Sequence, residues 1–374
     1  MPIVIQPYRP EHETAVKDFN QRLQSGGAGF ELLFSERAEP RWLPRRDGRP
    51  SLFNEVFLAL DGGIVRGGYV LKHEQFAFAD GSARNVACYH HPLSEGIVNK
   101  THAIVGGLML RDALQRSPLL YCLGMGGYDN SLAKMLVRQG WSHYLVPFYF
   151  RVVRPARFLR EMQVLRSSPL RRAVMDLGAY SGAAWTASQL FQWFKRFQAA
   201  AASSCEIEVV NAFEPWADVV WEQCQRAYAV CATRDAATLS TLYPTTDRHL
   251  TRLRIRRKGE EIGWAVVGER RKDSKYGSLR VGSIVDCLAL REDAFPVICA
   301  ATKELERSGM DLIVSNQGHK AWGDALQRSG FLKAKSNFIF AASERLARYL
   351  QPFSEMKSKF HLTRADGDGL PRNF

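Results

Sequence analysis

The feature that most narrows what this chain can fold into is an internal repeat with an offset of 190 residues. Gly140-Trp141 answers to Gly330-Phe331, Arg138 to Arg328, Leu136 to Leu326 and Leu132 to Trp322. Upstream in each half lie an apolar strand (Leu119 to Met125, Asp311 to Asn316) and a helical run (Thr101 to Gln115, Ala294 to Arg307). A fixed offset carried by elements in the same order marks a duplicated unit and sets the domain count first. Identity across the match is thin, so its weight comes from the order of the elements.

The 374 residues suit two domains and a connector, since single domains cluster near about 150 residues. With 46% hydrophobic and 24% charged residues the chain reads as globular. Met1 to Pro10 lacks the basic stretch and apolar core of a secretory signal. No run approaches the ~20 apolar residues of a membrane-spanning helix. The seven cysteines include no C-x-x-C pair and are odd in number, which argues against a disulfide framework or a zinc site. No metal and a cytoplasmic location are therefore expected. The net charge of +13 predicts an anionic partner, which could be a nucleic acid, a phosphate-bearing cofactor or an acidic surface.

Hydrophobic periodicity supplies the elements. Ile3 to Tyr8 reads as a strand and Glu11 to Leu23 as a helix. Glu55 to Leu60 and Ile64 to Leu71 form a hairpin across Asp61-Gly62-Gly63, because Asp-Gly supplies the positive φ that a tight turn needs. The second half repeats the order: a strand from Glu206 to Val210, a helix from Trp216 to Val230, a hairpin about Lys258-Gly259, and a strand from Ser278 to Leu290. The expected class is α+β, with each half a mostly antiparallel sheet flanked by helices. The boundaries read as 1–154 for the first domain, 155–204 for a helical connector and linker, 205–350 for the second domain and 351–374 for a polar, poorly packed tail.

This order, ending in Asn130-Ser131-Leu132-Ala133 and Gly140-Trp141, resembles the GNAT N-acyltransferase superfamily, in two tandem copies. Ala133 and Gly140 stand one residue closer than in the superfamily's Asn-x-x-Ala to Gly-Phe segment, and Leu136 takes a position where many members carry Tyr. The resemblance implies an acyl-CoA donor whose pyrophosphate rests on backbone N–H groups at a helix start, where unpaired donors and a partial positive charge meet. The corresponding stretch runs from Ser94 to Gly107, and the candidate binding residues are Lys100, Thr101, Gly106, Gly107 and, on the next helix, Asn130. Gly106 and Gly107 have two readings, close approach of a phosphate or close packing of a helix. In the second copy Leu290 to Pro296 has no glycine and places Glu292 and Asp293 at the helix start, where they would repel a pyrophosphate. Lys320 and Gly323 replace the Asn and Ala of the first copy. The resemblance thus implies one working half and one degenerate half.

Acyl transfer to an amine needs an oxyanion donor, a route for the amine proton and a proton for the leaving thiolate. By resemblance the thiolate's proton comes from Tyr128, which follows Gly124-Met125-Gly126-Gly127. His90 or His91, on opposite faces of a regular strand, is the candidate for the amine proton. Cys88 lacks a Cys-His-Asp arrangement and is not expected to be a nucleophile. The reading is an N-acyltransferase that passes an acyl group, acetyl first, from acyl-CoA to a small amine or amino sugar by direct attack. Two alternatives stand. Arg151, Arg154, Arg157 and Arg160, then Arg171-Arg172, and Arg252, Arg254 and Arg256 would suit a Fem-like transferase drawing on aminoacyl-tRNA, unless acidic partners neutralise them. A non-catalytic binding module with two decayed clefts is the third class.

Overall fold

The computed structural model describes residues 2–46, 51–161, 205–269 and 277–367. In chain order the first half runs β1 (Val4–Pro7), α1 (Glu13–Ser25), β2 (Phe53–Asp61), β3 (Ile64–Phe78), β4 (Ala83–Ser94), α2 (Ile104–Arg116), β5 (Leu120–Gly124), α3 (Ser131–Arg138), β6 (Ser142–Leu145), β7 (Phe148–Val152) and α4 (Pro155–Glu161). The second half continues with β8 (Glu206–Val210), α5 (Trp216–Cys224), β9 (Val230–Ala232), α6 (Ala236–Leu242), β10 (Leu250–Arg257), β11 (Glu260–Glu269) and β12 (Val281–Ala289). It closes with α7 (Ala294–Arg307), β13 (Leu312–Asn316), α8 (Lys320–Arg328), β14 (Leu332–Ala334), β15 (Ile339–Ala342), α9 (Glu344–Ala347) and β16 (Phe360–His361). The repeat is visible as β2-β3-β4-α2-β5-α3-β6 against β10-β11-β12-α7-β13-α8-β14.

The chain forms two compact units that are not contiguous in sequence. The first holds Met1–Phe76, Ala83–Tyr144 and Ile339–Phe353; the second holds Ala77–Ser82, the described residues of Leu145–Phe338 and those from Ser354 on. The sheet of the first unit runs β1-β2-β3-β4-β5-β15-β6, and that of the second β14-β7-β13-β12-β11-β10-β8. Both are mostly antiparallel, with a parallel pair at β4–β5 and another at β12–β13. The expected α+β class, with two mostly antiparallel sheets flanked by helices, is the one observed. The expected boundaries at 154 and 350 are not. β7 comes from the first half yet hydrogen-bonds to β13 and β14, from Leu312↔Val152 to Asn316↔Phe148 and from Leu332↔Phe150 to Ala334↔Phe148. In return β15 of the second half pairs with β5, from Ile339↔Gly124 to Ala342↔Tyr121.

In the first unit α2 lies on the sheet because Val105, Met109, Leu110 and Ala113 recur on one helical face and meet Tyr69, Leu71, Ala87 and Tyr89. Val16, Phe19 and Leu23 of α1 pack in a second cluster against Leu58, Leu60, Val65 and Leu93. Each such apolar side chain contributes roughly 1.5–3 kcal/mol by leaving water. In both copies the helix before the Gly-aromatic pair stops at a left-handed glycine, φ 76° at Gly140 and φ 82° at Gly330. The next residue, Trp141 or Phe331, is buried, and its N–H bonds back to Leu136 or Leu326. That geometry explains why glycine and an aromatic recur together.

Two expectations need revision. The helix predicted from Trp216 to Val230 ends at Cys224, and β9 and α6 follow. The tail, expected to be poorly packed, is buried from Phe360 to Thr363 and again at Ala365 and Asp366, because its polar groups find partners inside the second unit. Of the connector, Pro155–Glu161 is helical, and the remainder to 204 lies outside the described residues.

Candidate functional site

Two parallel strands that part company make a cleft. β4 and β5 pair only at Ala87↔Leu120 and Cys88↔Tyr121, whereas β4 continues to Ser94 and β5 to Gly124. Beyond the last pair Tyr89 accepts a hydrogen bond on its carbonyl oxygen from Cys122 Sγ at 3.3 Å. The first unit opens here into a cavity of about 250 Å³, walled by Tyr89, Pro92 and Ser94 of β4, by Gly106 and Met109 of α2 and by Leu132 of α3. A wider groove of about 890 Å³ shares Gly107 with this cleft and carries Arg111 and Arg345.

The glycine question raised by the sequence has a geometric answer. A Cβ placed on Gly106 or Gly107 would meet nothing within 4 Å, so close helix packing does not require them. Gly96 is the reverse case, since its Cβ would lie 2.8 Å from the backbone of Ala103 and of His102. The turns leading into α2 are held by side chains, with Ser94 Oγ accepting from Gly96 N–H at 3.1 Å and Asn99 Oδ1 from Thr101 N–H at 3.1 Å. Glu95, next to the cleft, is buried and bonded to Arg22 at 3.1 Å and Arg66 at 3.0 Å. Burial opposes its charge, but the hydrogen bonds from Arg66 and Arg22 hold its carboxyl below the usual range.

The structure brings together some of the expected site residues and separates others. Gly106 and Gly107 line the cleft. Lys100 and Thr101 stand exposed in the short turn before α2, outside the lining. Asn130 caps α3, its Oδ1 accepting from Leu132 N–H at 2.9 Å. Its structural counterpart is the cap His319, whose Nδ1 accepts from Ala321 N–H at 3.0 Å, and not Lys320. One residue explains the shift, because α8 has nine residues and α3 eight.

Tyr128 is exposed and not among the cleft's lining residues; its hydroxyl lies 2.9 Å from His143 Nδ1, with the rings edge to face at 5.3 Å. Burial moves its pKa up. His143, on β6, carried no signal in the sequence, because no motif ties it to a tyrosine 15 positions earlier. His90 and His91 are not among the lining residues. His91 adopts φ 49°, which breaks the alternation of β4; its Nε2 lies 2.9 Å from Leu33 O, and its ring stacks on Phe34 at 5.7 Å. His90 is buried with neither ring nitrogen hydrogen-bonded. Burial first, then His91 and Lys72, drive its pKa down to about 3, so the ring is neutral.

The second unit has the same parting of strands, filled. β12 and β13 pair only from Val281↔Leu312 to Ser283↔Val314. Past that point the tail reaches both strands: His361 Nε2 lies 2.9 Å from Cys287 O, Gly318 N–H donates to Leu362 O at 2.8 Å, and Arg364 Nε donates to Asn316 Oδ1 at 2.9 Å. Asp286, also on β12, accepts from Arg234 Nε at 2.7 Å, Tyr243 OH at 2.7 Å and Thr363 Oγ1 at 3.0 Å. Arg234 bonds Asp366 with its other arm. Where the first unit has Leu132 in the lining, the second has fully buried Trp322, which donates to Tyr228 OH at 3.0 Å, and Tyr228 packs on His361. Asp293 at the start of α7 is paired with Arg257 at 2.7 Å.

The described arginines of the basic clusters find acidic or carbonyl partners within the second unit. Arg151 binds Glu306 at 2.7 Å, Arg154 and Arg157 each reach buried Asp311 at 3.2 Å, and Arg160 donates to Ala156 O. Arg252 donates to the carbonyls of Tyr243, Leu250 and Pro244, Arg254 pairs with Glu261 and Glu208, and Arg256 with Glu206 and Glu208. Arg171 and Arg172 lie outside the described residues. Among the described residues no group of three or more His, Cys, Asp or Glu is placed to hold a metal ion, and no helix is long and apolar enough to cross a membrane.

No family model matches the sequence, and no curated protein sequence does. The likeness to known proteins is structural. Saccharomyces cerevisiae N-myristoyltransferase with bound myristoyl-CoA is 8% identical over 92% of this chain and 84% of that one, with a TM-score of 0.51. A structure of the same yeast enzyme with myristoyl-CoA and inhibitors gives 8% identity, 92% and 80% coverage and 0.50. A tandem GNAT protein from the clavulanic acid biosynthesis pathway is 11% identical over 91% of this chain and 99% of that one, at 0.45. At such identities the first two likenesses speak for fold alone.

Proposed function

We propose that the chain is an N-acyltransferase whose first unit takes an acyl-CoA, acetyl-CoA in the simplest case, and passes the acyl group to a small amine or amino sugar. The observation that carries this reading is the open cleft at the parting of β4 and β5, bordered by Gly106 and Gly107, which no packing demands. The donor's flexible arm fits the mostly apolar walls, and the adjoining groove offers the cations Arg111 and Arg345 to its phosphates. In the direct reaction the amine nitrogen attacks the acyl carbonyl carbon, the C–N bond forms and the C–S bond breaks. Tyr128 gives its proton to the departing thiolate and is reprotonated from His143 or water, while the amine releases its proton to solvent. His90, buried and neutral, has no part in this scheme, and His91 is held in packing.

The filled second unit supports one acyl donor per chain. The described arginines that favoured a tRNA-bound donor have intramolecular partners, so that alternative loses its motive. Calorimetric and thermal-shift titration of the whole chain with acetyl-CoA and longer acyl-CoAs tests the reading, because binding to the native state must raise the melting temperature. The expected stoichiometry is one. No shift with any acyl-CoA would end the proposal, and a stoichiometry of two would show that the second unit keeps a site.

A further inference from the structure

The first residue beyond the last β4–β5 pair that faces α2 is Tyr89, and it forms part of the cleft wall. Five tyrosines in the described residues are almost wholly buried, namely Tyr69, Tyr89, Tyr121, Tyr228 and Tyr243. Four of them give their hydroxyl to a defined acceptor: Tyr69 to Asp112, Tyr121 to Glu74, Tyr228 to Ala289 O and Tyr243 to Asp286. Tyr89 does not; its hydroxyl is buried without a hydrogen-bond partner, a condition shared by Tyr8, which lies outside the cleft wall. A buried hydroxyl left unpaired weakens the fold that holds it, so its retention in a cleft wall points to an acceptor that arrives with a ligand.

We infer that the Tyr89 hydroxyl recognises the acyl carbonyl of the donor, an inference that rests on the acyl-CoA reading above. Met109, Met135, Leu132 and Ile97 make the neighbouring walls apolar, so a carbonyl oxygen entering there has few other groups to satisfy it. The ring is held in place by packing on Tyr69 at 5.2 Å. Burial pushes its pKa well above 10, so the hydroxyl keeps its proton and donates. Tyr128 and Tyr89 then divide the work, the first serving the leaving sulfur and the second orienting the carbonyl.

The test is calorimetry on the full chain with acetyl-CoA and with CoA, which lacks the acyl carbonyl, together with melting curves of the free proteins. Tyr89→Phe is expected to weaken acetyl-CoA binding about 5–10-fold, the worth of one net hydrogen bond. CoA binding should stay within about twofold, and the free variant should melt at or above the wild-type temperature. Tyr69→Phe, which removes a bonded hydroxyl, should instead lower the melting temperature and leave the preference for acetyl-CoA intact. Equal losses with both ligands, no loss with either, or a lower melting temperature for free Tyr89→Phe would each overturn the assignment. Failure of the wild type to bind either ligand would overturn the acyl-CoA reading and, with it, this inference.

Discussion

Tyr128 and His143 form a pair whose chemistry can be separated from its packing. Tyr128→Phe keeps the ring beside His143 and removes only the hydroxyl that lies 2.9 Å from Nδ1. If that hydroxyl protonates the leaving thiolate, kcat should fall about 10²-fold with little change in KM for the acyl donor, the usual scale for a lost general acid. An unchanged kcat in steady-state assays would remove Tyr128 from the mechanism. A second consequence at this scale concerns acid. His90 and His319 are buried, and burial is the main cause that holds both near a pKa of about 3. In the unfolded chain each takes a proton near 6.5. Between those values the unfolded state binds more protons, so the stability is fully present above about pH 6.5 and is lost as pH falls toward 3. The slope is about 1.4 kcal/mol per pH unit for each histidine. Urea midpoints measured from pH 7 to 4 should therefore fall steeply, and His90→Gln should flatten the curve; parallel curves would refute the assignment.

At the scale of elements, the end of α3 depends on the left-handed backbone of Gly140. A Cβ there meets nothing within 4 Å, so Gly140→Ala adds no clash and its whole cost comes from φ 76°. Such a conformation costs an L-residue about 1–2 kcal/mol, which should appear as a lower denaturation midpoint with activity retained. The same glycine was legible in the sequence because a helix stop and the aromatic after it leave a local mark. The hairpins and the helix Ala294–Arg307 were legible for a similar reason, their periodicity being written in consecutive residues. Sheet membership was not. Phe148–Val152 follows β6 by two residues and alternates like any strand, yet it bonds β13 and β14, and nothing in its own side chains names those partners. The acidic partners expected for the arginine clusters could not be named for the same reason, because Arg154 finds Asp311 157 positions away. The tail misled by composition. Polar residues read as exposed until Thr363, Arg364 and Asp366 are seen to be bonded inside the fold.

At the scale of the molecule, the two copies have taken opposite courses from one plan. In the first, the gap between the parting strands is open and rimmed by glycine. In the second, the chain's own tail, Trp322 and an ion cluster fill it, and the cluster is placed where it holds the tail to β12. Arg234 is the hinge of that arrangement, since it bonds Asp286 on the strand and Asp366 on the tail while itself almost wholly buried. Arg234→Met keeps most of the volume but leaves two buried carboxylates without their cation. Tyr243 and Thr363 still reach Asp286, but neutral hydroxyls do not replace a charge. Breaking a buried pair from one side costs about 3–5 kcal/mol, so the variant should unfold at clearly lower urea concentration. Acyl-CoA binding measured below that transition should be unchanged, because every residue of the proposed cleft belongs to the first unit. An unmoved midpoint would mean that the tail is held by its apolar residues, Phe360 and Leu362, and not by the ions. A loss of acyl-CoA binding in the still-folded protein would mean that the filled copy takes part in the site it was assigned only to accompany.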